Sequence, residues 1–381
     1  MRIKLEASKS TKDAIRRAIS LLTKDSCGSV IESDGKGYLD LVTCHCGVRL
    51  RDKIVGVVKS TGHDTKAVLP IDALKIIAKT KRDARVEINI TDDYSMMISI
   101  DGRGFTLHGI DPEKYIDLSG KYDFRDLAIV SGKDITEAIK RSGIARGKDA
   151  MRYVFRGVLF EIEKEVINIV STDAKIMTHA RIDNIRPVEN VDKLRFVIPE
   201  EALKYFKKAK SIDKPCRVAI STDGSAMRFK TGNSELIFKG IDARFPNWDK
   251  VFPSDDTITG RIDFPADDIS DIVKRVDVNI KGKARQDVHI DLISCNINKL
   301  SIEHDDKEIG TFSSAIYGIY AEGDRRENIG SFSDFYMEKL TKIHAGMDSI
   351  LEWQTKPETP IVIWSDNNGV NYRTVLMPLQ N

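Results

Sequence analysis

The feature that most constrains this chain is an internal repeat with a period near 130 residues. Val68-Leu-Pro-Ile-Asp-Ala-Leu-Lys-Ile-Ile-Ala-Lys-Thr80 returns as Val197-Ile-Pro-Glu-Glu-Ala-Leu-Lys-Tyr-Phe-Lys-Lys-Ala209, and Phe105-Thr-Leu-His-Gly-Ile-Asp111 returns as Leu236-Ile-Phe-Lys-Gly-Ile-Asp242. Leu69 to Ile198 is a step of 129 and Gly109 to Gly240 a step of 131. That period is too long for a solenoid and suits a duplicated domain. Three copies of this size fill the 381 residues. The chain therefore reads as a modular scaffold before any reactive group is considered.

Each copy opens with a short amphipathic helix: Asp13 to Ile19, Asp134 to Lys140 and Asp268 to Lys274. In the first, Ala14, Ile15, Ala18, Ile19 and Leu22 fall at helical spacing, with Lys12, Arg16 and Arg17 off that stripe. An Asp near each start suits the positive end of the helix dipole. Strand–turn–strand units follow, at 30–42 and 158–170, each alternating apolar and polar residues. A second helix begins at Pro70 and at Pro199, and Phe332 to Ile343 is the third counterpart. Tight turns such as Asp223-Gly224 and Asn368-Gly369 join the closing strands. The expectation is an α+β fold of three domains, 1–122, 123–253 and 254–381, each with two helices on one side of antiparallel sheet.

Charge matters through its placement, because 60 basic and 58 acidic residues nearly cancel. Lys75 and Lys79 mark the second helix; Lys204, Lys207 and Lys208 mark its repeat; Lys140 and Arg141 the middle copy's first helix; Lys274 and Arg275 the last copy's; Lys339 and Lys342 the final helix. Any one of these is an ordinary solvated face. The same placement on corresponding helices of three copies makes a basic surface. Cations on helices without a series of aromatic side chains favour phosphate contact over base reading. No apolar run reaches membrane-span length, and five cysteines fit a reduced, cytoplasmic setting.

Three stretches carry a resemblance to a known family. They are Arg152-Tyr-Val-Phe-Arg-Gly-Val-Leu-Phe160 with Val170-Ser-Thr-Asp173, Gly240-Ile-Asp-Ala-Arg-Phe-Pro-Asn-Trp248 with Val251-Phe-Pro253, and Val375-Leu-Met-Pro-Leu379. In order and spacing they resemble the bacterial sliding clamp, the beta subunit of DNA polymerase III, along the full length. The resemblance implies a head-to-tail homodimer whose six domains close a ring, helices lining the hole and sheet outside. Duplex DNA would pass through without sequence preference, facing Lys12, Arg16, Arg17, Lys75, Lys79, Lys140, Arg141, Lys204, Lys207, Lys208, Lys274, Arg275, Lys339 and Lys342. It also implies an apolar cleft for short peptides of polymerase and clamp-loader subunits. The matching positions are Phe155, Thr172, Ala174, Lys175, Ile176, Met177, Pro246, Val251, Val375, Met377, Pro378 and Leu379. Three departures bear on partner choice: Thr172-Asp-Ala-Lys-Ile-Met177 where the family commonly has Thr-Asp-Gly-His-Arg-Leu, Gln380-Asn381 where it ends in Arg-Leu, and Cys44-His-Cys46 in place of the first copy's Thr-Asp turn.

Catalytic chemistry finds little support. Cys44-His45-Cys46, with Cys27 upstream, has poor spacing for structural zinc, and strand alternation would put Cys44 and Cys46 on one core face. Gly102-Arg-Gly104 lacks the third glycine of a dinucleotide loop and reads as a turn. Neither a phosphate loop nor a His-Glu-x-x-His motif is present. The expectation is a non-enzymatic protein without cofactor or metal. The alternatives are a Cys/His enzyme site in the first domain, or a clamp-derived interaction protein that does not encircle DNA.

Overall fold

The computed structural model describes residues 1–24, 26, 28–33, 37–59, 66–115, 122–148, 152–209, 214–279, 289–296, 299–306, 310–317, 321–322, 327–354 and 356–379. Cys27, Gln380 and Asn381 lie outside the described residues. Six α-helices occur among those described: α1 (Lys9–Leu21), α2 (Ile71–Lys79), α3 (Gly132–Ser142), α4 (Glu200–Lys208), α5 (Ala266–Asn279) and α6 (Asp334–His344).

Helix α1 begins four residues before Asp13, because Ser8 caps it: the Ser8 hydroxyl accepts from the Thr11 amide at 3.2 Å. Its first turn holds no acid, and Asp13 instead pairs with Arg16 at 3.0 Å. Asp134 in α3 and Asp267 and Asp268 in α5 do sit in first turns, as the dipole argument requires. Pro70 and Pro199 stand at the cap, one residue ahead of α2 and α4, where a missing N–H costs nothing.

The chain forms two compact units. The first comprises Met1–Glu137, Ile185–Val191 and Ile198–Asp242; the second comprises Ala138–Asn184, Asp192–Val197 and Ala243–Asn381. Thus the middle repeat is shared out. Its strands Pro215–Ser221, Ala226–Thr231 and Ser234–Lys239 join the first unit, and Val158–Glu163, Val166–Thr172 and Ile176–Ile182 the second.

Sheet continuity is the physical reason. In the first unit Val48–Lys59 pairs antiparallel with Ser234–Lys239, from Asp52 opposite Ser234 to Val48 opposite Phe238. In the second, Ile176–Ile182 pairs antiparallel with Val370–Leu376, Ile176 opposite Leu376 and Ile182 opposite Val370. Each junction therefore exchanges main-chain hydrogen bonds and side chains as a strand pair inside one domain would. Leu50 and Leu236 face one another across the first junction, both fully buried.

Within the first unit α1 packs on α2 and on α4, with Ile15, Ala18, Leu74 and Ile77 closing over Leu39, Leu41 and Val86. Within the second, α5 and α6 pack together, with Ile269, Val273, Met337 and Leu340 over Phe264, Leu351 and Ile363. The turns expected at Asp223-Gly224 and Asn368-Gly369 are present, with positive φ at Gly224, Asn368 and Gly369. Gly102, at φ +84, closes the hairpin between Met96–Ile100 and Arg103–Leu107. One expectation fails locally. The strand ends at His45, so Cys46 is an exposed turn residue at φ +47 while Cys44 is half-buried. A turn there breaks the alternation that would have put both thiols on one face.

Candidate functional site

The positions expected to form a peptide cleft all fall in the second unit. Their geometry starts from the turn after Val166–Thr172. The Thr172 hydroxyl donates to the Ile176 carbonyl at 2.8 Å and accepts from the Ala174 amide at 2.9 Å. Asp173 Oδ1 accepts from the Lys175 and Ile176 amides at 3.0 and 3.1 Å. Its Oδ2 accepts from Lys339 Nζ of α6 at 2.8 Å. Tyr336 also donates to Asp173; burial and that carboxylate push the phenol up to about 12. Lys339 further lies over the Phe335 and Tyr336 rings at 4.8 and 5.1 Å. Asp173 thus ties the turn to α6.

From this turn the strand Ile176–Ile182 leads the chain against Val370–Leu376, and the Met377 amide donates to the Lys175 carbonyl at 2.9 Å. The Leu379 amide donates to the Ser331 carbonyl at 2.8 Å, fixing the path of Met377-Pro378-Leu379. Phe155, in the 3-10 turn Tyr153–Arg156, meets Phe245 edge-on at 6.3 Å, and Pro246 follows Phe245. Trp248 lies 4.4 Å from the His179 ring, whose Nε2 donates to Asn168 Oδ1 at 2.8 Å. Arg373, opposite His179 in the strand pair, sits over Trp364 at 3.8 Å and over Phe252 at 4.4 Å.

The expected set divides by burial. Thr172, Ile176, Met177, Val375 and Pro378 are buried. Phe155 and Leu379 are half-buried, whereas Ala174, Lys175, Pro246, Val251 and Met377 are exposed, Val251 and Met377 by 39% and 40%. Exposed large apolar side chains such as Val251 and Met377 can take up an apolar partner. Phe245, Trp248, His179 and Arg373 stand beside the expected set without having been named in it, although Phe245 and Trp248 lie in a stretch that carries the resemblance. An aromatic-rich run from Phe245 to Phe252 was the available signal.

The basic positions also divide. Arg16, Lys75, Lys79, Lys140, Lys207, Lys208, Lys274, Arg275 and Lys342 are exposed. Lys204 and Lys12 are half-buried, and the Lys12 ammonium donates to the Thr80 carbonyl at the end of α2. Three further cations are committed inside the chain. Arg17 grips Asp52 with Nη2 at 2.8 Å and Nε at 3.2 Å, its side chain 13% exposed. Arg141 donates to the Ile343 and Ala345 carbonyls at 2.6 and 3.1 Å. Lys339 belongs to the Asp173 turn.

The central-domain family of the DNA polymerase III beta subunit matches residues 129–247, the stretch holding the Phe155, Thr172–Met177 and Pro246 positions. The chain is similar to beta sliding clamps, most specifically over that central stretch. Two curated relatives are a beta sliding clamp homolog, GriR, of Streptomyces muensis and a beta sliding clamp of Pseudomonas putida. The first is 20% identical over 250 residues, covering 66% of this chain and 64% of that protein. The second is 21% identical over 210 residues, covering 54% and 56%. The chain thus spans about three-fifths of the length of those relatives. The solved beta subunit of Streptococcus pyogenes DNA polymerase aligns over 100% of both chains at a TM-score of 0.81 and 14% identity. That likeness establishes the fold, an α+β arrangement of repeated clamp domains.

Proposed function

We propose that the chain is a DNA sliding clamp: a non-enzymatic, cytoplasmic ring that encircles duplex DNA and holds polymerase and clamp-loader subunits by short peptides. The observation that carries this reading is the way one repeat joins the next. At both junctions the third strand of one copy's strand–turn–strand unit pairs with the last strand of the following copy. One strand of each kind is left at a sheet edge. Among the described residues Gly310–Tyr317 pairs with Lys299–Asp306 alone, and Arg103–Leu107 with Met96–Ile100 alone. Both edges carry exposed aromatics, Tyr317 by 69% and Phe105 by 46%. Uniting them between two copies would repeat the junction twice more, giving a head-to-tail homodimer of six domains with repeat limits 1–122, 123–253 and 254–381. It would cover both unpaired edges, which otherwise invite uncontrolled strand pairing.

The exposed Arg16, Lys75, Lys79, Lys140, Lys207, Lys208, Lys274 and Lys342, with half-buried Lys12 and Lys204, suit loose phosphate contact that lets duplex slide. The cleft built on Phe155, Met177, Pro246, Val251, Val375 and Met377 suits a partner peptide with apolar anchors. Retention on nicked circular DNA, with a matched loader and ATP, tests the ring. Run-off after linearisation is the expected result. Equal, salt-sensitive loss from circular and linear DNA by a protein of monomer mass would favour an interaction protein that does not encircle DNA.

A further inference from the structure

The first helices of the three copies share a five-residue frame that is offset from the Asp alignment used above. It reads Asp13-Ala-Ile-Arg-Arg17, Glu137-Ala-Ile-Lys-Arg141 and Asp271-Ile-Val-Lys-Arg275: an acid, two apolar residues, a cation, then arginine. In each copy the apolar pair is buried and the fourth residue exposed. The terminal arginine behaves differently in two copies and in the third. Arg17 and Arg141 are both spent at a junction with the next copy. Arg17 holds Asp52, which stands opposite Ser234 in the strand pair that joins copies one and two. Tyr205 of α4, copy two's second helix, reaches the same Ser234 at 3.1 Å, and α1 packs on α4. Arg141 caps the carbonyl end of α6, copy three's second helix, and lies over Tyr372 in the strand that joins copies two and three. Arg275 is exposed, and its guanidinium enters none of the ion pairs or hydrogen bonds found among the described residues.

We propose that Arg275 is the same junction latch, completed by the first repeat of a second copy of this chain. By the pattern of Arg141 on α6, its seat is the carbonyl end of the second copy's α2, around Ala78 and Lys79, beside the Thr80 carbonyl that Lys12 already holds. The inference rests on the homodimer reading above and adds to it a residue that the strand edges alone do not identify. An exposed arginine at a position twice used for docking carries five donors in a planar fork suited to clustered carbonyls or a carboxylate. Lysine would keep the charge and lose the fork.

Sedimentation velocity of the full chain across a concentration series, as wild type, Arg275→Ala and Arg275→Lys, tests it, with thermal unfolding of each as a fold check. The expected result is a wild-type dimer, at least tenfold weaker dimerisation for Arg275→Ala, an intermediate loss for Arg275→Lys, and unchanged monomer unfolding. A dimer of wild-type strength in Arg275→Ala would overturn the latch and leave the ring standing. A wild-type chain that stays monomeric at tens of micromolar would overturn both.

Discussion

Two residues hold conformations or ionisation states that a different sequence would not need. Ala174 sits at φ +79, the left-handed region where a Cβ meets its own carbonyl and only glycine is at ease. The turn holds it there through Thr172 and Asp173, so part of their hydrogen bonding offsets backbone strain. Ala174→Gly should therefore stabilise the second unit by about 1 kcal/mol, read as a higher thermal midpoint; no change would mean the turn is unstrained. His344 is fully buried, with Nδ1 2.6 Å from the Ser365 hydroxyl and Nε2 2.8 Å from the Thr374 hydroxyl. Burial, with the Arg141 charge nearby, lowers its pKa to about 3. The folded state thus keeps the ring neutral where the unfolded chain, titrating near the ordinary value of about 6.5, takes up a proton. The unfolded state binds more protons between those values, so stability is full above about pH 6.5 and falls as pH drops toward the folded pKa. Urea unfolding should show a loss of about 2 kcal/mol from this group between pH 7 and pH 5. His344→Gln should flatten that portion of the profile, and an unaltered profile would refute the assignment.

At the scale of elements, Asp173 is where a turn, a strand and a helix are tied together. Lys339 and Asp173 are 15% and 12% exposed, so their pair lies between a surface bridge and a buried one. Removing either partner leaves the other charge poorly solvated against Phe335 and Tyr336. Lys339→Met and Asp173→Asn should each destabilise the second unit by roughly 1–3 kcal/mol, and the double variant by less than their sum. Strict additivity in that cycle would show the pair to be uncoupled. This tie also marks what sequence could and could not reveal. The six helices were legible from apolar periodicity, because Ile15, Leu74, Ile139, Leu203, Ile272 and Leu340 must face a core whatever the tertiary detail. Phe155, Thr172, Met177 and Val375 were named for an expected cleft by resemblance, not by any pattern of their own. The fate of individual cations was not, because Arg16 and Arg17 are adjacent and alike in composition. Only the strand bearing Asp52 decides that one is solvated and the other buried. Nor could helical periodicity show that the sheet runs through the junctions, since that depends on register between strands about 185 residues apart.

For the whole molecule, the question is how a nearly neutral chain could hold a polyanion loosely. The exposed helix cations carry acids one turn earlier: Asp13 to Arg16 at 3.0 Å, Asp72 to Lys75 at 3.3 Å and Asp271 to Lys274 at 3.2 Å, while Glu338 pairs with Lys342 at 2.5 Å. Such exposed pairs are worth only ~0.3–0.5 kcal/mol, so on the proposed reading a passing phosphate would compete with the acid for the cation without either contact becoming strong. Weak, interchangeable contacts are what lateral movement requires, because each tight one would add a barrier at every step. Replacing Arg16, Lys75, Lys274 and Lys342 together with Gln should therefore lower affinity for duplex DNA about equally across sequences. It should also make the dependence of log K on log salt shallower, by up to about 0.9 for each cation that had displaced a counterion. Titration of a labelled duplex into wild-type and variant protein at several salt concentrations reads both quantities. A parallel pair of salt plots would place the phosphate contacts elsewhere. A shallower slope accompanied by unchanged retention on closed circular DNA would separate charge, which governs contact, from topology, which governs escape.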